Sequence, residues 1–365
     1  MIAADPARPP GSLVASYKGV LRQKAIFFFV LLALLGALAV YAIAAGTYDL
    51  SALEVLRALL GHEEGAAGIV IWNIRMPRIV AAIVAGWGLA ISGVAMQCLL
   101  KNPLGSPFTL GISHGAAFGA ALAIVTLGAG TTQSSVLRTT ASTLILIENL
   151  FSVTFFAFLG AMAATLVILA LSRMRRLSPG SIILAGVALS SLFVSGTILI
   201  QYFATEVEIA TIVFWTFGDV SRSSWQEIGV MTAASVVATF YFVANRWNLN
   251  ALSSGEEVAK GIGVEVEKIR WWGMLMAALV AALVTAFHGV IAFLGLLAPH
   301  IARRMVGADH RLLIPYSCIV GALLLLLADT AGRILIGSGT LPVGVLTSFM
   351  GAPLFLYLLV RGYGK

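Results

Sequence analysis

Residues 72–100 read WNIRMPRIVAAIVAGWGLAISGVAMQCLL, and in this stretch two arginines on either side of a proline stand directly before an apolar run. A hydrocarbon core about 30 Å thick needs about 20 apolar residues in a helix, and the run from Ile79 to Leu100 is long enough. The stretch therefore predicts a membrane-spanning helix with Arg75 and Arg78 at its N-terminal end.

The composition of the whole chain indicates the same environment. Of its 365 residues, 59% are hydrophobic and only 11% are charged, whereas a soluble domain carries about 25% charged residues. The net charge of +7 fits the lysine and arginine excess of cytoplasmic loops better than a nucleic-acid surface. Cys98 and Cys318 lie inside apolar runs, so neither a disulfide framework nor a thiolate metal site is indicated. We therefore expect a membrane protein.

Hydropathy predicts ten spans in an all-α, polytopic membrane fold. Residues 271–302 are apolar except for His288 and His300, and as one helix they would be about 48 Å long, too long to cross without a break. Gly289 is the expected break, so this region is divided into two spans. The predicted spans are Ala25–Ala45, Ile79–Leu100, Thr109–Ala129, Leu150–Leu171, Ile182–Phe203, Ile228–Ala244, Trp271–Phe287, Gly289–Ala302, Leu312–Ala328 and Val343–Val360.

Positive charge sets the predicted orientation. Residues 1–24 are expected to be a cytoplasmic segment before one transmembrane domain over residues 25–365. Small residues near Ala45 are also typical of a signal-peptide cleavage site, but the long segment and long apolar run before them favour an uncleaved helix. Only six of the 23 lysines and arginines lie opposite the termini, so both termini are predicted to be cytoplasmic. These six are Arg57, Arg75, Arg78, Arg138, Arg222 and Arg333.

Common catalytic motifs are missing from the sequence. It has no GxxxxGK[ST] phosphate loop, no HExxH helix and no GxSxG elbow, so we do not expect an enzyme. The five histidines never pair at helical ligand spacing, so no metal site is expected. An ion-coupled secondary transporter is a weaker alternative, because Glu148, Asp219 and Asp329 lie in loops or at span ends rather than inside spans.

The loop KNPLGSPFTLGISHG, residues 101–115, is unusual for the cytoplasmic side of a span. Pro103 and Pro107 interrupt any continuous helix there, which fits either a gate or a plain helix–helix turn. Immediately afterwards, Gly115 and Gly119 form a small-xxx-small face of the kind that lets helices pack closely. We interpret these two glycines as packing residues.

The segment ALSSGEEVAKGIGVEVEKIR, residues 251–270, is the longest charged cytoplasmic loop. Ser253 or Ser254 is expected to cap a short helix that ends near Gly261 and Gly263. A short helix outside the bilayer without catalytic residues is either a docking surface or a plain connector.

Five segments of the chain resemble the permease subunits of type II ABC importers, the FecCD-type permeases that import haem, ferric siderophores and cobalamin. The resemblance runs from about Ala25 to the C-terminus and implies the type II ABC importer permease fold. The segments are RMPRIVAAIVAGWGLAISGVAMQCLLKNPLGSPFTLGISHGAA, LAGVALSSL, GEEVAKGIGV, GVIAFLGLLAPHIARRMVGADHR and LPVGVLTSFMGAPLFLYLL.

The resemblance also implies partners and a location. Two copies of the permease would form the pathway at their interface, two ATP-binding subunits would attach to the cytoplasmic face, and a periplasmic substrate-binding protein would deliver the cargo. The chain itself would bind no cofactor, because ATP and Mg²⁺ belong to the partner ATPase. The remaining partner is the lipid bilayer, with no nucleic acid, and the implied location is the bacterial inner (cytoplasmic) membrane.

Three groups of residues take roles from the resemblance. The gate at the cytoplasmic end would be Asn102, Pro103 and Leu104. The helix that sits in a cleft of the ATPase would include Gly255, Glu256, Glu257, Ala259, Lys260, Gly261 and Gly263. Arg75, Arg78 and Arg333 match arginines that receive glutamates of the binding protein in the cobalamin importer, whereas the residues alone also fit lipid headgroup anchors.

The overall pattern is most similar to haem-importing permeases, so haem, with its iron, is the expected cargo. A ferric siderophore is second and cobalamin third. His62 and His114 are candidate transient haem ligands. The fifth span begins LSPGS, which departs from the family, so no gate role is carried onto Pro179 or Gly180; residues 128–149 are longer than the family norm.

Overall fold

The computed structural model describes residues 10–46, 54–55, 57, 65–128, 142–175, 178–335 and 341–362. Within them the long helices follow one another with short connections, as expected for a chain whose apolar runs must satisfy their own backbone hydrogen bonds. In chain order the α-helices used below are α1 (Pro10–Ala44), α2 (Met76–Leu99), α3 (Ile112–Thr126), α4 (Ser142–Arg175), α5 (Pro179–Phe203), α6 (Glu206–Thr216), α7 (Trp225–Ala244), α8 (Arg246–Ser254), α9 (Glu256–Gly261), α10 (Val266–His288), α11 (Leu294–Val306), α12 (His310–Leu335) and α13 (Val343–Gly362).

The prediction of an all-α membrane fold with about ten spans is confirmed. Seven helices of the described chain are long and apolar enough to cross a membrane. Two shorter apolar helices, α3 and α13, and the 13-residue α11 coincide with the other three predicted spans. The predicted break is also confirmed, since α10 ends at His288 and Gly289 adopts a φ of 79°.

The helix predicted from the opening stretch is the centre of the bundle. Almost every residue of α2 from Ile79 onward is buried, whereas α1 and α5 expose most of their apolar side chains. Helices α7, α10, α11 and α12 all pack against α2.

Glycine permits the closest helix crossings. A Cβ added at Gly86 of α2 would lie 2.4 Å from the carbonyl oxygen of Gly321 in α12, so only glycine fits there. The predicted packing role of Gly115 and Gly119 is confirmed, because a Cβ at Gly119 would lie 2.0 Å from the carbonyl oxygen of Phe156 in α4.

Contacts far apart in sequence define one end of the bundle, which we call the α9 side. Lys24 Nζ donates a hydrogen bond of 2.8 Å to the Val306 carbonyl at the end of α11, and the Tyr316 hydroxyl donates to the Lys24 carbonyl. On the same side, Asn250 Nδ2 of α8 donates to Asp309 Oδ1 at 2.9 Å. The opposite end, where α1 and α12 finish, is called the arginine side.

Candidate functional site

The arginine side contains a compact cluster of Arg75, Arg78, Arg333 and Asp329. Arg78 Nε and Nη2 each lie 2.8 Å from Asp329 Oδ1, and Arg333 Nε lies 3.3 Å from Oδ2, within ion-pair range but out of line for a hydrogen bond. The Asp329 residue is only 1% exposed. Desolvated carboxylates of this kind are stable only when paired, and here two guanidiniums provide the pairing.

The other partner of the cluster is the C-terminal end of α1. The last four carbonyl groups of a helix have no partner within the helix and carry its negative dipole end. Arg75 Nη1 donates to the Ile43 and Ala44 carbonyls at 2.5 and 3.1 Å, and Arg333 Nη1 donates to the Ala42 and Ala45 carbonyls at 3.1 and 3.0 Å. Two arginines therefore close the end of α1.

A short π-helical segment, Val70–Arg75, sets Arg75 in place immediately before α2. Its wide turn is closed by the Met76 amide, which donates to the Ile71 carbonyl five residues back. The Trp72 carbonyl instead accepts from the indole nitrogen of Trp225 at 3.3 Å. Such segments are rare, and the one here precedes the cluster directly.

The three arginines are therefore all engaged within the chain. Arg75 is 5% exposed, and the side chains of Arg78 and Arg333 are also largely buried. Docking of a partner through these residues stays a prediction, but capping α1 and neutralising Asp329 are roles that the sequence did not reveal.

The predicted gate residues form a tight turn on the α9 side, directly after α2. Lys101 adopts a left-handed φ of 46°, and Asn102 Oδ1 accepts from the Leu104 amide at 2.8 Å. Thr109 Oγ1 donates to the Leu104 carbonyl at 3.1 Å, which closes the loop from its other side. Asn102, Pro103 and Leu104 are all at least partly exposed, as a pathway lining requires, although no contact tests the gate itself.

The predicted coupling segment contains a short helix, α9. Within this helix Ala259 is completely buried. Val258 and Ile262, which are four residues apart, are exposed, and the Glu257 side chain is 92% exposed. The segment thus has an anchored face and an outward face with two apolar side chains and one carboxylate. Its role toward an ATPase stays a prediction.

The predicted serine cap of this helix is wrong. Gly255, with a φ of 135°, stands at the N-cap position without a side-chain hydrogen bond. Ser253 and Ser254 instead donate to the Leu249 and Asn250 carbonyls four residues back. The serines extend α8 because Gly255 supplies the turn between the two helices.

Glu256, the first residue of α9, joins three cations. Its Oε2 lies 3.0 Å from Arg270 Nη2 and 3.9 Å from Lys101 Nζ, and its Oε1 lies 3.3 Å from Lys260 Nζ. Burial raises the pKa of the Glu256 carboxyl, but the hydrogen bond and charge of Arg270, with those of Lys260, outweigh it and leave the pKa below its ordinary value. Glu256 therefore links the helix α9 to the residue before the predicted gate and to the base of α10.

A second link on the α9 side holds α8 against the turn between α11 and α12. Asn250 Oδ1 accepts from the backbone amide of His310 at 2.9 Å, while its amide nitrogen donates to Asp309. The hydrogen bond from Arg311 holds the pKa of the Asp309 carboxyl well below its usual range, although burial opposes this effect. These contacts fix α8 while leaving the outward face of α9 unobstructed.

Two adjoining recesses lie between α3, α5, α6 and α13. One has a volume of about 290 Å³ and the other about 520 Å³, and Phe108, Thr216 and Val290 line both. Further lining residues include His114, Thr197 and Gln201 of the smaller recess and Phe217, Phe293 and Phe349 of the larger one. The combined space is apolar and aromatic with a few polar groups, which is the usual character of a small-molecule site.

His114 is the one histidine of the recess. Its ring packs against Phe108 with 4.8 Å between ring centroids, and its buried Nδ1 has no hydrogen-bond partner among the described residues. His62 lies outside the described residues. No group of three or more His, Cys, Asp or Glu side chains within the described part of the chain is arranged to hold a metal ion.

Comparisons with known proteins agree with this architecture. A profile of the FecCD transport family matches residues 31–361. A solved structure of an ABC transporter, provisionally assigned to the metal-chelate type and in an inward-facing conformation, has a TM-score of 0.78 and 31% sequence identity, covering 92% of this chain and 99% of that one.

Curated relatives cover nearly the full chain as well. A protein of Methanocaldococcus jannaschii, provisionally named an ABC transporter permease, is 50% identical over 96% of this chain and 98% of its own length. The vitamin B12 import system permease of Vibrio cholerae is 35% identical over 80% of this chain and 83% of its own. The hemin transport system permease of Yersinia pestis is 34% identical over 87% and 92%.

Proposed function

We propose that this chain, which belongs to the FecCD transport family, imports haem as the permease subunit of an ATP-driven transporter. Membership makes it an ABC importer permease and a multi-span membrane protein. The observation behind the choice of haem is the paired recess, whose phenylalanines and single imidazole suit a flat, apolar metal chelate. A hemin permease among the relatives supports the same cargo.

Vitamin B12 is the second candidate cargo. The vitamin B12 permease of V. cholerae is as similar to this chain as the hemin permease, and cobalamin also presents a flat metal chelate. A ferric siderophore is the third candidate, supported by an Fe(3+)-citrate permease of Bacillus subtilis that is 32% identical.

We further propose that two copies form the working unit in the inner membrane, with both termini cytoplasmic and the α9 side facing two ATP-binding subunits. The exposed apolar surface of α5, including Leu184, Leu192 and Leu199, is available for the second copy. The outward face of α9, formed by Val258 and Ile262, is small and partly apolar, as a cleft in an ATPase requires. The chain would bind no cofactor, and ATP and Mg²⁺ would bind to the ATPase.

The contacts of Glu256 give this proposal a route from ATPase to gate. A push on α9 would reach Lys101 through Glu256, and Lys101 directly precedes Asn102. The same carboxylate holds Arg270 at the start of α10, so α9 and a spanning helix would move together.

On the arginine side we propose that a periplasmic binding protein docks through Arg75, Arg78 and Arg333. Contacts with the end of α1 and with Asp329 already fix these side chains at one rim of the bundle, so a partner's carboxylates would meet guanidiniums that need little further ordering. Guanidinium suits this role because it stays charged and binds carboxylates with two parallel hydrogen bonds.

Uptake by proteoliposomes tests the cargo. The permease would be reconstituted with a partner ATPase and a periplasmic binding protein and offered haemin, cyanocobalamin or a ferric siderophore, each with and without ATP. We expect uptake of haemin that requires ATP. Preferred uptake of another chelate would overturn haem alone, whereas uptake driven by an ion gradient without ATP would support a secondary transporter and contradict the importer.

The same assay tests whether the His114 imidazole contributes to haemin uptake. We expect His114→Ala to reduce haemin uptake several-fold, while His300→Ala, a change outside the recess, leaves it unchanged. If both variants took up haemin as the wild type does, the His114 imidazole would have no part in cargo selection.

A further inference from the structure

An amphipathic groove on the α9 side opens between the last turns of α4 and the first turns of α10. Its volume is about 480 Å³. The lining residues are Leu169, Ser172 and Arg173 of α4 with Glu267, Lys268, Arg270, Trp271 and Trp272 of α10. None of these lining residues belongs to the predicted gate, the two recesses or the arginine cluster.

The two tryptophans place the groove at a membrane surface. Trp271 and Trp272 lie edge to face with 4.9 Å between ring centroids, and Trp272 is exposed. Tryptophan is enriched where the hydrocarbon meets the headgroups, because its ring is apolar and its N–H is polar. Both α4 and α10 are long enough to span, and the groove lies at their ends on one side.

The charges around the groove favour an anion. Lys268 Nζ lies 3.5 Å from Glu265, and Arg270 Nη1 lies 3.0 Å from Glu267, so these two cations are partly neutralised. Arg173 is exposed and has no hydrogen-bond or ion-pair partner among the described residues. The lining therefore offers an anion one exposed cation, Arg173, beside two cations that are already partly neutralised.

Arg270 adds an independent observation. It is only 5% exposed, and although its terminal nitrogens contact Glu256 and Glu267, its buried Nε has no acceptor among the described residues. A buried donor without an acceptor is destabilising, so an additional oxygen acceptor at this wall is expected. A phosphate oxygen in the groove would provide one.

We propose that this groove binds the headgroup of an anionic phospholipid. The phosphate would lie among Arg173, Lys268 and Arg270, and the glycerol and upper acyl chain would pack along Leu169 and the tryptophan pair. This inference rests on the proposed orientation, in which the α9 side is cytoplasmic. Basic pockets between spanning helices on that side suit such lipids, since the leaflet there is negatively charged. A free phosphate ion shares the charge but would leave the apolar wall without a partner.

The test compares the full-length chain in nanodiscs of phosphatidylcholine with and without phosphatidylglycerol, and native mass spectrometry reads the lipid retained. We expect the wild type to retain phosphatidylglycerol preferentially, and Arg173→Gln with Lys268→Gln to lower that preference by about tenfold or more, since the two changes remove two cations that attract the anionic headgroup. Arg270 is left unchanged because it also holds Glu256.

Arg246→Gln is the matched control. Arg246 is also a cation beside a tryptophan on the α9 side, with its guanidinium 5.8 Å from the Trp247 ring, but it lines no part of the groove. We expect this variant to retain phosphatidylglycerol as the wild type does. Equal retention by the double variant and the wild type would overturn the proposal.

Tryptophan fluorescence separates the two sources of phosphate. Brominated phosphatidylglycerol should quench the wild type more than brominated phosphatidylcholine does, and Trp272→Phe should remove most of that difference. Equal quenching by both lipids would mean unselective annular contact and would contradict the site. If inorganic phosphate alone raised the Tm as much as phosphatidylglycerol, the groove would be a free-anion site and the lipid assignment would be wrong.

Discussion

Each end of the bundle has one carboxylate paired with several cations, but the two carboxylates differ in burial. On the arginine side one carboxylate, Asp329, is enclosed by Arg78 and Arg333 and has almost no exposure. On the α9 side one carboxylate, Glu256, contacts Arg270, Lys260 and Lys101 but remains partly exposed. An enclosed pair resists separation, whereas pairs open to water exchange partners at little cost. The arginine side is therefore suited to holding its shape and the α9 side to changing it.

Removing Asp329 gives the largest expected effect. Asp329→Ala would leave Arg78 and Arg333 buried without a counter-charge, which typically costs about 3–5 kcal/mol, so the Tm of the purified chain should fall steeply. Glu257→Ala, which removes a carboxylate from the exposed face of α9, should leave the Tm unchanged. A small effect at Asp329 would show that the two ends do not differ in rigidity.

Neutralising the arginines tests whether the arginine side also recognises a partner. Arg75→Gln with Arg78→Gln keeps hydrogen-bond donors but removes two charges, so Kd for the binding protein should rise at least tenfold, about 1.4 kcal/mol or more. Arg222→Gln is the control, because Arg222 lies on the same side and donates to the Phe214 and Trp215 carbonyls outside the cluster. Normal binding by the double variant at low salt would reduce the cluster to a structural role.

Glu256→Gln tests whether the α9 side transmits movement to the gate. Arg270 keeps Glu267 as a partner and the pairs with Lys260 and Lys101 are open to water, so the Tm should fall much less than in Asp329→Ala. Cross-linking between the two copies through Leu104→Cys should nevertheless lose its dependence on nucleotide, because α9 would no longer pull on Lys101. Glu257→Gln is the matched control and should retain that dependence. If Glu256→Gln also retained it, the path through Lys101 would be wrong.

The smallest expected effect is a pH dependence at Glu256. Its folded-state pKa lies below the ordinary value of 4.5, so its ion pairs contribute stability that is fully present above pH 4.5 and is lost as the pH falls through the folded pKa. The stability difference between wild type and Glu256→Gln should be constant near neutral pH and shrink below pH 4.5. A difference that instead disappeared as the pH rose toward 8 would contradict this assignment.

Hydropathy predicted the spans because it is a local property, and the break at Gly289 followed from the length of one apolar run. Helix α6, which has only 11 residues, was not predicted from the sequence, although its start carries a readable signal. Thr205 Oγ1 accepts from the Glu208 amide, and Glu208 Oε2 accepts from the Thr205 amide. Local patterns therefore predict helices well when length and caps are both considered.

The ion pairs required the folded chain. Arg78 and Asp329 are 251 residues apart in sequence, and no local pattern pairs them. The same is true of Lys101 and Glu256, although Glu256 itself had a predicted coupling role and Lys101 precedes the predicted gate. The predicted serine cap was wrong because Ser253 and Ser254 donate to carbonyls of the preceding helix instead. The sequence alone does not show which of these two hydrogen bonds a serine will make.

The π-helical segment before α2 behaves as a one-residue insertion in an otherwise α-helical path. Five residues in such a turn cover about the same rotation as four α-helical residues, so the segment absorbs the extra residue without turning the chain before it relative to α2. Deleting one residue between Val70 and Ile74 would let this turn close as α-helix, with Arg75 still directly before α2. A single-codon deletion here is therefore a change that the bundle can absorb, and its cost would fall on the contact between the Trp72 carbonyl and the Trp225 indole.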